Sequence, residues 1–370
     1  MTRAIVPLSD IAAEPWQALS DRAVEANGYY LPGWELAANA SARGCTGASA
    51  LAAWRNGAAP RLIGLLPVVP LKRAFAIPLP ALVSARPYGT LGIPLLDRDD
   101  ATAAASELLR QARRSGARAL ILRDVQLGGS AMAAFTSALA DGGLRPRILH
   151  EGRRAGLDAT VDAEALLHEG LGPRKLKDLR RQRRRLAAHG EVSFRVARTP
   201  ADIAAAVEIF LRVEASGWKG RQGTALANDA GDTAFIRRAT AALAAHGACE
   251  IATLHAGSDV VAAGILPRHQ DRAFFFKIGI DERFAKLSPG VQLTLDITRH
   301  LCADPAIASA DATTGADHPM IGPIWRQHTA FGDVLLPLAG ARDPATMLIA
   351  AAMAARERLR ARLHRLRHKG

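Results

Sequence analysis

Cysteine is scarce in this chain. Cys45, Cys249 and Cys302 are the only three in 370 residues, and no CxxC or Cys/His ligand spacing surrounds them. That argues against a disulfide framework and a zinc site, and nothing else in the chain asks for a metal. Lysine is also rare, with seven among the 48 basic residues. Long apolar runs are missing too. The stretch "TMLIAAAMAA" (346–355) falls well short of the roughly 20 residues a membrane span needs. The opening "MTRAIVPLSDIAAEPWQ" lacks the unbroken apolar segment of a signal peptide. The expectation is a cytoplasmic protein, with peripheral contact at the inner face of a membrane as an option.

What is present is the composition of a globular chain, 49% apolar and 22% charged, long enough for two cores. Its net charge of +13 is carried mostly by Arg and concentrates in "RKLKDLRRQRRR" (174–185) and in the tail "RERLRARLHRLRHK" (356–369). Such a balance suits a polyanionic partner, such as a phosphorylated cofactor, nucleic acid or an anionic lipid surface.

One phrase occurs twice. "ASALAAWRNGAAPRLIGLLP" (48–67) aligns without a gap on "ACEIATLHAGSDVVAAGILP" (248–267), with six identities that include Gly64/Gly264 and Pro67/Pro267. Each copy reads as two short strands around a tight turn, at Asn56–Gly57 and Gly257–Ser258. Each is followed by strand and helix patterns of similar order. The expected fold class is therefore α/β (α+β) with two tandem domains, each a mixed central sheet flanked by helices. The division falls at 1–160 and 161–340. A basic helix spans 173–188, with Pro173 in its first turn, Gly190 past its end and Leu176, Leu179 and Leu186 as its apolar stripe. Residues 341–370 read as a basic amphipathic helix.

The chemistry concentrates downstream of the second copy. In "AFFFKIGID" strict alternation puts Phe274, Phe276, Ile278 and Ile280 on one face of a strand and Phe275, Lys277, Gly279 and Asp281 on the other. In "FAKLSPGVQ", Ser288 is a good N-cap, Pro289 suits the first helical position and Gly290 allows close approach. The amides of Gly290, Val291 and Gln292 would be left free at the positive end of the helix dipole, with Lys286 just before them. That is an anion site.

This strand–loop–helix is similar to the acyl-CoA site of the GNAT N-acyltransferase superfamily. Its "KLSPGV" is a reduced form of the usual Arg/Gln-x-x-Gly-x-Gly/Ala loop. That form resembles the double-GNAT branch called FemAB-like or CelD-like, as do "RRQRRRLAAHGEVSF" (180–194), "EASGWKGRQGTAL" (214–226) and "DATTGADHPMIGPIW" (311–325). The resemblance covers roughly 165–335. It implies two GNAT-like domains, the first degenerate and walling an acceptor cleft. It also implies acetyl-CoA or a longer acyl-CoA as co-substrate, held by Lys277, Ile278, Gly279, Ile280, Lys286, Ser288, Pro289, Gly290, Val291 and Gln292.

In the glycine-rich "EASGWKGRQGTA", Trp218 offers a flat wall and Lys219 a point charge on a loop that would close over substrate. Asp311 would end a strand and orient the acceptor. Asp317 and His318 would precede a new helix at Pro319. Asp281, Asp317 and Trp325 complete the expected substrate contacts. His318 or Glu214 would take the proton from an amine acceptor. No Ser-His-Asp or Cys-His arrangement suggests a covalent acyl-enzyme. The expected activity is direct acyl transfer to a small-molecule or glycan amine in a ternary complex, in envelope or exopolysaccharide synthesis. FemAB relatives use aminoacyl-tRNA, which the basic helix would suit, although the long coiled-coil arm of those transferases is missing. A third option is a non-catalytic scaffold that the C-terminal helix docks on anionic lipid or on an envelope-synthesis partner.

Overall fold

The computed structural model describes residues 5–57, 60–340 and 342–367. The first half runs β1 (Val6–Pro7), α1 (Ala13–Asp21), α2 (Pro32–Ser41), β2 (Ser49–Arg55), β3 (Arg61–Pro70), α3 (Leu71–Phe75) and β4 (Ala81–Ser84). It continues through β5 (Leu95–Leu96), α4 (Ala101–Arg114), β6 (Ala119–Gln126), α5 (Ser130–Ala140) and β7 (Arg147–Asp158). The second half runs α6 (Ala163–Leu186), β8 (Val192–Ala197), α7 (Pro200–Ser216), α8 (Trp218–Arg221), α9 (Ala230–Ala244), β9 (Cys249–Ala256) and β10 (Asp259–His269). Then come β11 (Arg272–Phe274), β12 (Lys277–Ile280), α10 (Pro289–Cys302), β13 (Ser309–Gly315), β14 (Gln327–Pro337) and α11 (Pro344–Arg367).

The two copies of the repeated phrase form equivalent hairpins, β2–β3 and β9–β10. Gly64 and Gly264 each make room for a close neighbour on the sheet face. A Cβ at Gly64 would lie 3.0 Å from Ala104 on α4, and one at Gly264 would lie 2.9 Å from Phe275 and 3.6 Å from Ile297 on α10. Gly64 thus lets α4 lie close on the sheet, while Gly264 makes room for the Phe275 ring beneath α10. The register differs by one residue, however. Gly64 pairs with Ala53, whereas Gly264 pairs with Ala252, and a bulge sits at a different place in each hairpin.

The halves join into one 14-stranded mixed sheet, flanked by helices, with the path β1-β2-β3-β4-β6-β14-β7-β13-β11-β10-β9-β8. At its centre the chain crosses over. β7 from the first half pairs with β13, and β14 from the far end of the second half pairs with β6. A largely aliphatic core spans the join, with a cluster of aromatic rings inside it. Trp34 stands edge-on to Phe235 at 5.1 Å and to Phe276 at 4.7 Å, while Tyr29 meets Phe274 at 5.6 Å. A second core lies under α6 and α10, and a third beneath α11 at Ile349, Ala350 and Met353.

Two local expectations change. The basic helix does begin at Pro173 and buries Leu176, Leu179 and Leu186, but it is the second arm of α6, bent at Gly172 with φ 70°. Its α-helical part ends at Leu186, and a short 3-10 turn follows to His189. The segment 272–280 is not one alternating strand. It breaks at Phe275–Phe276, so Phe274 and Phe276 face the first core while Ile278 and Ile280 pack against the second. Hydrogen bonding explains the break. Phe275 N–H donates to the Asp311 carbonyl, and Phe275 in turn accepts from Thr313 Oγ1, while Phe276 N–H returns to Ile265 on β10. β11 stays paired with β13 and β12 follows β10, so the sheet parts between β12 and β13.

Candidate active site

The parting of the sheet opens two recesses that share Lys219, Ile278, His318 and Met320. The larger, about 390 Å³, is lined by Glu214, Gly217, Trp218, Lys219, the β12 residues Ile278–Ile280, Ala285, the α10 start at Ser288–Val291, His318 and Met320. The smaller, about 250 Å³, reaches Phe275, Phe276, Lys277, Ala312, Thr313, Thr314 and Ile321.

β12 offers one free edge to this space. In an antiparallel ladder alternate residues turn both backbone groups toward the partner. Asp281 N–H donates to Val261 on β10, whereas the Ile278 carbonyl accepts from Lys219 Nζ at 2.7 Å. Ile278 and Ile280 therefore turn their N–H groups away from β10, toward the cavity. Gly279 has no side chain because α7 passes directly over it: a Cβ there would lie 2.8 Å from Glu214 N.

The start of α10 meets this edge. Ser288 sits in the left-handed region at φ 51°, and its side chain makes no capping bond. The expected hydroxyl cap is absent for that reason. Gln292 N–H already bonds the Ser288 carbonyl, and its side chain donates to Leu179 on α6, so Gln292 faces away from the cavity. With Pro289 lacking an N–H, two free amides remain, those of Gly290 and Val291, rather than the expected three. Gly290 sits close over β12: a Cβ there would lie 3.2 Å from the Ile280 side chain and 3.3 Å from Met320, a tight fit.

Glu214 is fully buried at the end of α7. Its Oε1 accepts from Lys277 Nζ at 3.1 Å and lies 3.6 Å from Lys219 Nζ, and its Oε2 accepts from Leu226 N–H at 2.9 Å. Burial pushes the Lys219 ammonium pKa down; Glu214 opposes the shift and Lys277 adds to it. Lys219 and Trp218 lie on the one-turn helix α8, not on an irregular loop. Trp218 N–H bonds Glu282 at 2.6 Å, which ties that turn to the segment ahead of α10.

Several expected contacts lie elsewhere. Asp311 stands in mid-strand, 1% exposed, held by Arg272 at 3.3 Å, Arg154 at 3.6 Å and Thr313 N–H at 2.6 Å. It fixes the bend of β13 and cannot meet an acceptor. Asp281 is buried and spent on Arg283, and Trp325 is a core side chain whose Nε1 bonds Thr298. Lys286 and Asp317 are exposed and outside the cavity lining. Residues after His318 form successive turns rather than a helix, and His318 Nδ1 accepts from Met320 N–H at 3.3 Å. Sequence reasoning missed Met320, Gly217 and Ala285. All three stood in quoted segments, and their approach to the cavity is a tertiary fact.

Residues 173–318 match the family model described as an acetyltransferase (GNAT) domain. The second half of the chain thus carries a GNAT-type domain, and the whole takes a double-GNAT fold. FemX shares that fold at 12% identity and TM-score 0.58, covering 92% of this chain and 98% of FemX. The C-terminal domain of a putative lysylphosphatidylglycerol synthetase from Agrobacterium fabrum is similar at 14% identity and TM-score 0.54, covering 92% and 95%. A conserved protein of unknown function from Bacteroides thetaiotaomicron reaches TM-score 0.53 at 11% identity, covering 89% and 98%. No curated protein matches the chain in sequence. Among the described residues, no group of three or more His, Cys, Asp or Glu is placed to hold a metal ion, and no helix is long and apolar enough to cross a membrane.

Proposed function

We propose that this protein is an acyl-CoA-dependent N-acyltransferase acting by direct attack in a ternary complex. One observation carries the reading: a single cavity receives both the free edge of β12 and the two free amides of α10. The residues fit an acyl-CoA. Gly290 and Val291 N–H would hold an anionic phosphate at the positive end of α10, and the open edge of β12 would pair with an amide-bearing arm. The thioester supplies the activated acyl group. The Ile278 and Ile280 N–H groups would stabilise negative charge building on the carbonyl oxygen, and Trp218 and Met320 would wall off water. His318, reaching both recesses, takes the proton from the acceptor ammonium on Nδ1, giving up its 3.3 Å hydrogen bond from Met320 N–H in that step. Glu214 has both oxygens engaged, so its part is to hold the two lysines.

The test is thermal stabilisation by acetyl- and longer acyl-CoA, followed by turnover with a panel of amines and amino sugars. His318→Ala is expected to cut kcat about 100-fold and remove the acidic limb of the pH profile, while acyl-CoA still stabilises the fold. No stabilisation by any acyl-CoA would end this reading.

A second reading, an aminoacyl-tRNA-dependent transferase, draws on the arm of α6 that packs beside α10. Arg174, Lys175, Lys177, Arg180, Arg184 and Arg185 are all exposed there. Ribonuclease-sensitive binding would favour it. For localisation and partners we propose a cytoplasmic protein that rests on anionic lipid through α11, serving envelope or exopolysaccharide synthesis. Met347, Leu348 and Leu359 on that helix are exposed, the last of them between Arg358 and Arg360, although residues 368–370 of the tail lie outside the described part. Liposome co-sedimentation lost on deleting 343–370 is the expected result, and it would equally serve a scaffold role.

A further inference from the structure

The cavity carries more positive charge than its walls neutralise. Lys219 and Lys277 share a single carboxylate, Glu214, at 3.6 and 3.1 Å. Among the described residues neither has another carboxylate within ion-pair distance. Their side chains are 25% and 22% exposed, so water reaches them only in part. Each ammonium has three donors. Lys219 spends one on the Ile278 carbonyl and Lys277 one on Glu214. The rest of the wall combines the apolar Phe275, Ile278, Ala312, Met320 and Ile321 with Thr313, Thr314 and His318, and none of these supplies a negative charge. Leaving a half-buried cation unbalanced in such a wall is unfavourable.

The fold does not require the second lysine. In the first half the position equivalent to Lys277 is Leu95, which pairs with Leu65 just as Lys277 pairs with Ile265. An apolar residue therefore serves the strand equally well. Lys277 points into the smaller recess and Lys219 into both, with the Thr313 and Thr314 side of β13 opposite.

We infer that Lys219 and Lys277 form a subsite for a carboxylate carried by one of the two substrates, beside the reacting centre. This rests on the acyltransferase reading above and names its substrate class. The carboxylate belongs either to a dicarboxylic acyl group or to an amino-acid acceptor, and the same two ammoniums would take both.

The experiment uses the full chain and two arms. The first compares succinyl-CoA with the neutral butyryl-CoA at a fixed amine. The second compares amino acids with their amides at fixed acetyl-CoA. A preference of about tenfold in kcat/KM for the carboxylate is expected in one arm, the size of one charge-assisted contact. The arm that shows it identifies the source. Lys277→Met should reduce that ratio to near one and Lys277→Arg should restore it. If Lys277→Met does not fold, the wild-type ratios still decide. Ratios within twofold of one in both arms overturn the subsite and leave the acyltransferase standing. Calorimetry with CoA alone separates the two failures, because a chain that neither binds CoA nor turns over any acyl-CoA overturns both readings.

Discussion

The two halves share a plan and differ at one joint. After β10 the chain passes from β11 to β12 through Phe275 and Phe276 alone, and the sheet parts to leave a cavity. After β3 the corresponding passage from β4 to β5 takes residues 85–94, and that loop fills the gap its own half would have opened. Gly92 N–H bonds the Asp124 carbonyl on β6, Leu91 and Ile93 are buried, and a Cβ at Gly92 would run into the Arg123 carbonyl. The helix starts differ in the same sense. α10 begins with "SPG", whereas α4 begins after "DRDD" (97–100), where Asp100 pairs with Arg61 at 2.8 Å and Asp97 with Arg22 at 3.0 Å. Carboxylates thus stand just ahead of α4, where their charge would repel an anion. The loop of the first half reaches across instead: Tyr88 OH bonds Asp232 at 2.6 Å and Thr90 Oγ1 bonds the Thr313 carbonyl at 2.9 Å. A duplicated frame thus has one open site and one plugged site, and the plug braces the open one.

That contrast can be tested by moving features between the halves. The largest effect is expected from Gly279→Val, which forces β12 off α7 at the open joint. A displacement of order 1 Å at a reacting centre costs about 100-fold in kcat/KM, to be read in acyl-transfer kinetics beside a melting curve. Ser288→Asp gives α10 the N-cap residue of α4. Aspartate tolerates the left-handed region, so the fold should hold while acyl-CoA affinity falls about tenfold by calorimetry. Wild-type affinity in this variant would mean that the helix start does not receive the phosphate.

Smaller effects concern the brace and the far end of α10. Tyr88→Phe removes the donor to buried Asp232 and should cost about 1–2 kcal/mol in denaturant unfolding. At the other end of α10, burial pushes the Glu250 carboxyl up, but His300, Arg268 and Arg198 outweigh it and hold it down to about 2. A carboxyl depressed on folding adds stability that is present above its ordinary value near 4.5 and is lost as pH falls toward 2. Glu250→Gln should flatten stability over that window and lower it at neutral pH by about 2 kcal/mol, between an exposed and a buried pair.

Much of this arrangement was legible in the order of residues. Gly–Pro punctuation and apolar alternation gave both hairpins, and "SPG" marked the start of α10 because proline, glycine and a polar residue act locally. The strand break at Phe275–Phe276 was not legible. Alternation continues through it on paper, and only the hydrogen bonds to Asp311 and Thr313 on β13 divide it. Asp311 and Trp325 read as site residues for the same reason. Being near a motif in sequence says nothing about which side of the sheet a side chain enters.

The sequence by itself determined the duplicated plan, the helix start and the scarcity of lysine that makes Lys219 and Lys277 conspicuous, because these depend on local periodicity and composition. Only the tertiary structure decided that residues as distant as Glu214, Lys277, Gly290 and His318 share one cavity, that β7 and β14 cross over at the centre of the sheet, and that the first half closes its own site. Those outcomes depend on strand pairing and close packing between segments far apart in the chain, where a single absent Cβ sets how closely two elements can meet.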